Sequence, residues 1–118
     1  TRRNASPELS FAAVKHGYRW RIMDISDIES ATRGQVNARR NYLMGLWAGR
    51  TIGYRDRELG TYVLAVMQSD ALEPGPFDVV RKIARDFEDH GISIPEGEVL
   101  RQLQLTEKGV RAEILSTD

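Results

Sequence analysis

The stretch from Leu59 to Met67 most constrains what this chain can fold into. Leu59, Tyr62, Val63, Val66 and Met67 fall at i, i+3, i+4, i+7 and i+8 without a miss. At 3.6 residues per turn, that spacing gathers all five side chains onto one face of an α-helix. A strand would scatter them over both faces of a sheet. A helix with one apolar face must bury it against other elements, so the rest of the chain has to supply partners.

Three further periodic stretches do so. Leu43, Leu46, Trp47 and Tyr54 make a stripe at helical spacing on a segment that Gly53 is placed to stop, with Ser30 or Thr32 as its N-cap. Val79, Val80, Ile83, Ala84 and Phe87 supply the buried face of a helix that begins near Pro76 and ends at Gly91. On its outside Asp78 precedes Lys82 by four residues, in the favourable order for an ion pair. Val99, Leu100, Leu103, Val110 and Ile114 mark a last helix opened by Pro95. Gly109 weakens that helix by roughly 1 kcal/mol relative to alanine, so fraying is expected beyond it. Between the last two helices, Ile92-Ser93-Ile94 reads as an extended connector with both isoleucines on one side. Asp56 is the expected N-cap of the Leu59 helix, and Glu73-Pro74-Gly75-Pro76 cannot continue it. The expected fold is all-α: a four-helix bundle-like domain over 36–118, with an irregular basic N-terminal arm over 1–35.

The chain is 118 residues long, enough for one domain with a real core and no metal or disulfide staple. It has no cysteine, which removes thiolate zinc sites and cysteine nucleophiles. Seventeen basic and seventeen acidic residues cancel, so the chain as a whole is no electrostatic partner for nucleic acid. Its longest strongly apolar patch, residues 43–48, is far short of the roughly 20 residues that cross a bilayer, and a soluble protein is expected. Charge is unevenly spread: residues 1–21 carry Arg2, Arg3, Lys15, Arg19 and Arg21 against Glu8 alone. Such a start has the character of an organellar presequence remnant, or of a basic solvated arm.

Catalytic and metal sites are not expected, because His16 and His90 are the only histidines and neither belongs to a metal-ligand pair motif. His90, beside a terminating glycine, reads as a helix-end cap. Gly45, Gly49 and Gly53, spaced by four, make a close helix–helix contact surface rather than a phosphate loop. Trp47 reads as core. Arg39 and Arg40 read as surface cations available to neighbouring acids or to a partner. The arm's Arg19, Trp20 and Arg21 combine charge and aromatic surface suited to an acidic protein groove. These five are the expected partner-binding residues, and no cofactor is expected.

The segment Ala38-Arg39-Arg40-Asn41-Tyr42-Leu43-Met44-Gly45-Leu46-Trp47-Ala48 resembles the signature of the zeta subunit family of α-proteobacterial F-type ATP synthases. The likeness continues co-linearly through Gly53, Tyr62, Val66, Asp70, Gly75, Asp78-Val79, Arg81-Lys82, Asp86 and Gly91, covering about residues 36–95. The resemblance implies a four-helix protein that inhibits ATP hydrolysis through an N-terminal segment ordered in the catalytic interface, with the remaining helices as anchor. The chain departs from the family in its basic N-terminus, where members open on an acidic, aromatic segment, and in having Arg50 where an acid is usual. The implied role is a non-enzymatic regulatory subunit on the catalytic sector, at the cytoplasmic face of the bacterial inner membrane. The alternative is an accessory structural subunit of a respiratory-chain or ATP synthase membrane complex, on the mitochondrial matrix side.

Overall fold

The computed structural model describes residues 24–70 and 76–116. These form five α-helices: α1 (Ile25–Thr32), α2 (Val36–Ile52), α3 (Asp56–Ser69), α4 (Phe77–Asp89) and α5 (Glu96–Ser116). The fold is all-helical, as the periodicity requires, and α2 to α5 correspond to the four expected helices.

α1 lies within the segment read from sequence as an arm. It begins with a capping box in which Asp24 accepts from the Asp27 amide at 3.0 Å and Asp27 accepts from the Asp24 amide at 3.1 Å. Its apolar content is slight, but Ile28 is only 1% exposed. Ser30 and Thr32 both sit inside α1 rather than capping α2, and the Thr32 hydroxyl donates back to the Ile28 carbonyl at 3.0 Å. Gly34, at φ +83°, reverses the chain, and α2 then starts after Gln35 with no side-chain cap.

α2 and α3 form a close hairpin, and the glycines of α2 are the reason. A Cβ on Gly45 would lie 3.0 Å from the Val63 Cα, and one on Gly49 would lie 2.6 Å from Leu59 Cδ1. The third glycine, Gly53, ends the helix in left-handed geometry at φ +115°, and the Tyr54 amide reaches back to the Gly49 carbonyl at 2.9 Å. The connection is so short that Asp56 is not the N-cap expected. It is the first helical residue, held at φ +52°, and Arg55 takes the cap position without a side-chain bond.

The core has two parts. Met44, Val66, Val79, Ile83, Phe87 and Val99 are fully buried in the part shared by α2 to α5. Ile28, Tyr42, Leu46, Leu59 and Val63 make the smaller part under α1. α4 ends as its glycine predicts: the Gly91 amide donates to the Glu88 carbonyl and the Ile92 amide to the Phe87 carbonyl, with Gly91 at φ +71°. Ile92 and Ile94 then pack together against the main core. α5 continues in helical geometry through Gly109 to Ser116, past the point beyond which fraying is expected.

Candidate functional site

The signature Arg39-Arg40 occupies a place that sequence reasoning did not foresee. Both residues were expected on the surface; instead Arg39 is 8% exposed and Arg40 5%. The physical reason lies in the helix register. Arg40, Met44 and Ala48 are spaced by four and share the inward face of α2, so the guanidinium is enclosed by neighbouring helices. A buried charge persists only when paired and hydrogen-bonded, and each arginine is.

Arg40 ties its own helix α2 to α5 and to the residue that follows α3. Its Nη1 meets Glu107 of α5 at 3.0 Å and Asn37 Oδ1 at 3.4 Å. Its Nε donates to Asn41 Oδ1 at 2.9 Å, and its Nη2 lies 3.7 Å from Asp70, just past α3. Arg111, one turn further along α5, grips the other oxygen of Glu107 at 2.9 Å. Hydrogen bonds from Arg40 and Arg111 hold the Glu107 carboxyl below the usual carboxylate range, against a smaller opposing effect of burial.

Arg39 faces the other way, toward α1. Its Nη1 donates to the Glu29 carbonyl at 3.2 Å and to the Thr32 hydroxyl at 3.4 Å, while Nη2 meets the Glu29 carboxylate at 3.3 Å. The guanidinium thereby satisfies carbonyl and hydroxyl oxygens at the C-terminal end of α1, where a cation is favoured. It lies 5.3 Å from the centre of the Tyr42 ring, and its Nε is 4.0 Å from Glu113 of α5. Burial and the nearby Glu29 raise the Tyr42 phenol above its ordinary range.

A second polar tie crosses from α3 to α4. The Tyr62 hydroxyl donates to Asp86 at 2.7 Å, and Lys82 binds the same carboxylate oxygen at 3.1 Å. Lys82 therefore pairs with Asp86 and not with Asp78, which instead meets Arg81 at 3.5 Å. Burial, then the Asp86 charge, push the Tyr62 phenol far above its usual value, so it remains a donor at any physiological pH.

His90 acts at the end of α4 as the sequence suggests. Its Nδ1 lies 2.8 Å from the Asp86 carbonyl, and its ring packs edge-on against Tyr54. Trp47 sits at the margin of the main core, half-buried, with its ring edge-to-face on Phe87 at 5.4 Å. Arg19, Trp20 and Arg21 lie outside the described residues.

These groups hold a scaffold together. Among the described residues, no cluster of three or more histidine, aspartate or glutamate side chains is assembled to hold a metal ion. No described helix is long and apolar enough to cross a membrane. The family model for ATPase inhibitor subunit zeta matches residues 28–113, from the buried Ile28 of α1 to the Glu113 that faces Arg39.

The chain belongs to the ATPase inhibitor subunit zeta family.

No curated protein and no solved structure matches it. The zeta match takes in the second part of α1, from Ile28 on, which the signature motif alone did not reach. Of the carboxylates that make the buried arginines tolerable in this zeta-family fold, Asp70 is named in the sequence only through the family likeness, and Glu107 and Glu29 are not singled out there. Their signal was indirect: an arginine at i, with methionine at i+4 and alanine at i+8 on the same face, demands a buried acid somewhere distant.

Proposed function

We propose that this chain is a regulatory subunit that binds the catalytic sector of an F-type ATP synthase and blocks ATP hydrolysis. The observation that carries the reading is the zeta-family match across residues 28–113, nearly the whole described fold. The geometry supports a division of labour. Residues 25–70 and 76–116 form a bundle tied together by internal polar contacts such as Arg40 with Glu107 and Asp70 and Tyr62 with Asp86, suited to anchoring. Such a body is too broad for a catalytic cleft, so the blocking element is the segment before α1. Arg19, Trp20 and Arg21 are its contact residues in this proposal, the tryptophan as an apolar anchor and the arginines as partners for carboxylates.

Arg39 and Arg40 take a supporting role. Arg39 ties down α1, at whose N-terminus Asp24 follows the blocking segment, so the pair fixes where that segment leaves the bundle. The test uses an F-type ATPase from the same source. Full-length protein should suppress its hydrolysis, and deletion of residues 1–21 should abolish suppression while leaving the bundle folded. Binding without suppression identifies an accessory structural subunit and overturns the inhibitor reading.

A further inference from the structure

α3 carries no charge from Leu59 to Ser69, eleven residues in a row. Three of its sides are taken. Val63 lies against Gly45 of α2, Tyr62 reaches Asp86 of α4, and Ile25 of α1 stands over Gly60, 4.0 Å from where a Cβ would be. The fourth side holds Thr61, Leu64 and Gln68, all half-buried. The outward faces of α4 and α5 are different: they carry Arg81, Arg85 and Glu88, and Glu98, Arg101 and Lys108, all exposed. Charge on the outer face is the ordinary condition of a surface helix, and a helix uncharged all round is one that other elements cover. The fourth side of α3 therefore implies a further neighbour.

The chain before α1 has the chemistry and the reach to be that neighbour. Ile25 fixes the start of α1 at the edge of the uncharged strip. Asp24, extended at ψ −176° and closing a capping box, turns the preceding residues off the α1 axis. Those residues include Phe11, Val14, Tyr18 and Ile22, spaced i, i+3, i+7 and i+11. At the helical period these four share one face, with Lys15, Arg19 and Arg21 at its margins and Trp20 opposite. Residues 11–22 and the strip from Arg57 to Gln68 are each eleven steps long, about 16 Å as helix. The segment has no acid between Glu8 and Asp24, and Glu58 (next to Arg57) and Asp70 stand at the two ends of the strip.

We propose that residues 11–22 dock on the outward face of α3 of their own chain, antiparallel to it, with Tyr18 against Leu64 and Ile22 beside Thr61. The contact is a marginal one on a bundle that is complete beneath it, so it opens well below the melting of the core. Trp20 stays outward, where a partner can meet it. On the inhibitor reading, docking parks the blocking segment until the catalytic sector draws it off. That consequence rests on the inhibitor reading, whereas the docking itself does not.

Paramagnetic NMR on the full-length chain tests the docking. The chain has no cysteine, so His16→Cys carries a single nitroxide. Amides of Thr61, Leu64 and Gln68 should lose most of their intensity, while those of Arg101, Leu105 and Lys108 on α5 keep theirs. Tyr18→Ala, which lies outside the bundle, should restore the α3 signals and leave the rest of the spectrum unmoved. Leu64→Glu should restore the neighbouring α3 signals in the same way. Loss spread evenly over all helices, loss centred on another face, or loss that survives Tyr18→Ala would each overturn the proposal. So would loss in an isotope-labelled chain without nitroxide when nitroxide-bearing chain is mixed in, since that assigns the strip to a second copy. No ATPase enters the experiment, so its failure leaves the inhibitor reading standing, and failure of that reading leaves the docking standing.

Discussion

Gly45→Ala measures how closely α2 and α3 are required to approach. The added methyl would stand 3.0 Å from the Val63 Cα, 3.3 Å from its Cγ2 and 3.4 Å from its Cβ. Carbon atoms rest comfortably at about 3.5–4.0 Å, so the Val63 backbone must give way by a few tenths of an ångström. Val63 is fully buried and the closest atom is backbone, so no side-chain rotation relieves the contact. Overpacking of this kind costs about 1–3 kcal/mol. Alanine returns about 0.5–1 kcal/mol because glycine is poor inside a helix. The net expectation is a loss of about 1–2 kcal/mol, or a fall in melting temperature of about 5–10 °C for a domain of this size. Gly109→Ala is the matched control, with the same helix gain and open space around the methyl, and it should stabilise by about 0.5–1 kcal/mol. Urea and thermal unfolding followed by circular dichroism will read both. A Gly45→Ala protein as stable as the parent would refute the close-approach argument.

Other expectations follow from the buried charges and from α1. Arg40→Ala should destabilise by about 2–3 kcal/mol, below the full cost of breaking a buried pair because Glu107 and Asp70 keep about a quarter of their side-chain surface in water. Arg40→Met, which keeps the packing, should cost less than Arg40→Ala in the same urea titration. The Glu107 carboxyl is depressed below its ordinary 4.5, so its stabilising contribution is complete above that pH and is lost as pH falls through the folded value. Glu107→Gln should therefore flatten the acid limb of a stability-against-pH curve, and an unchanged limb would contradict that origin. A fragment of residues 24–118 should keep the parent transition. A 36–118 fragment, lacking the buried Ile28 and the Glu29 partner of Arg39, should lose about 2–4 kcal/mol in thermal melts.

The main helices were legible because their apolar residues repeat at the helical period and their ends carry the residues that ends require. Gly53 and Gly91 stop α2 and α4 in left-handed geometry, and Pro95 precedes α5. α1 was not legible, since eight residues with Ile25 and Ile28 give too few turns for a period to show. Its capping box, Asp24 with Asp27, was the available signal, and it needs only a local pattern to find. Arg39 and Arg40 were misplaced for a different reason. Charge reads as exposure until partners are known, and Glu107 lies sixty-seven residues from Arg40. The polar ties that organise this fold are thus long-range, whereas the helices that carry them are local. Arg50, an acid in the family's usual pattern, is exposed, so that substitution leaves the core untouched.

In the proposed role this zeta-family chain restrains hydrolysis by a rotary ATPase. The most direct measurement titrates purified full-length protein into the catalytic sector of an F-type ATPase from the same source, following phosphate release and binding in one series. The account predicts that hydrolysis falls in proportion to occupancy and approaches a low plateau at saturation. Saturable binding with hydrolysis unchanged at every occupancy would contradict it.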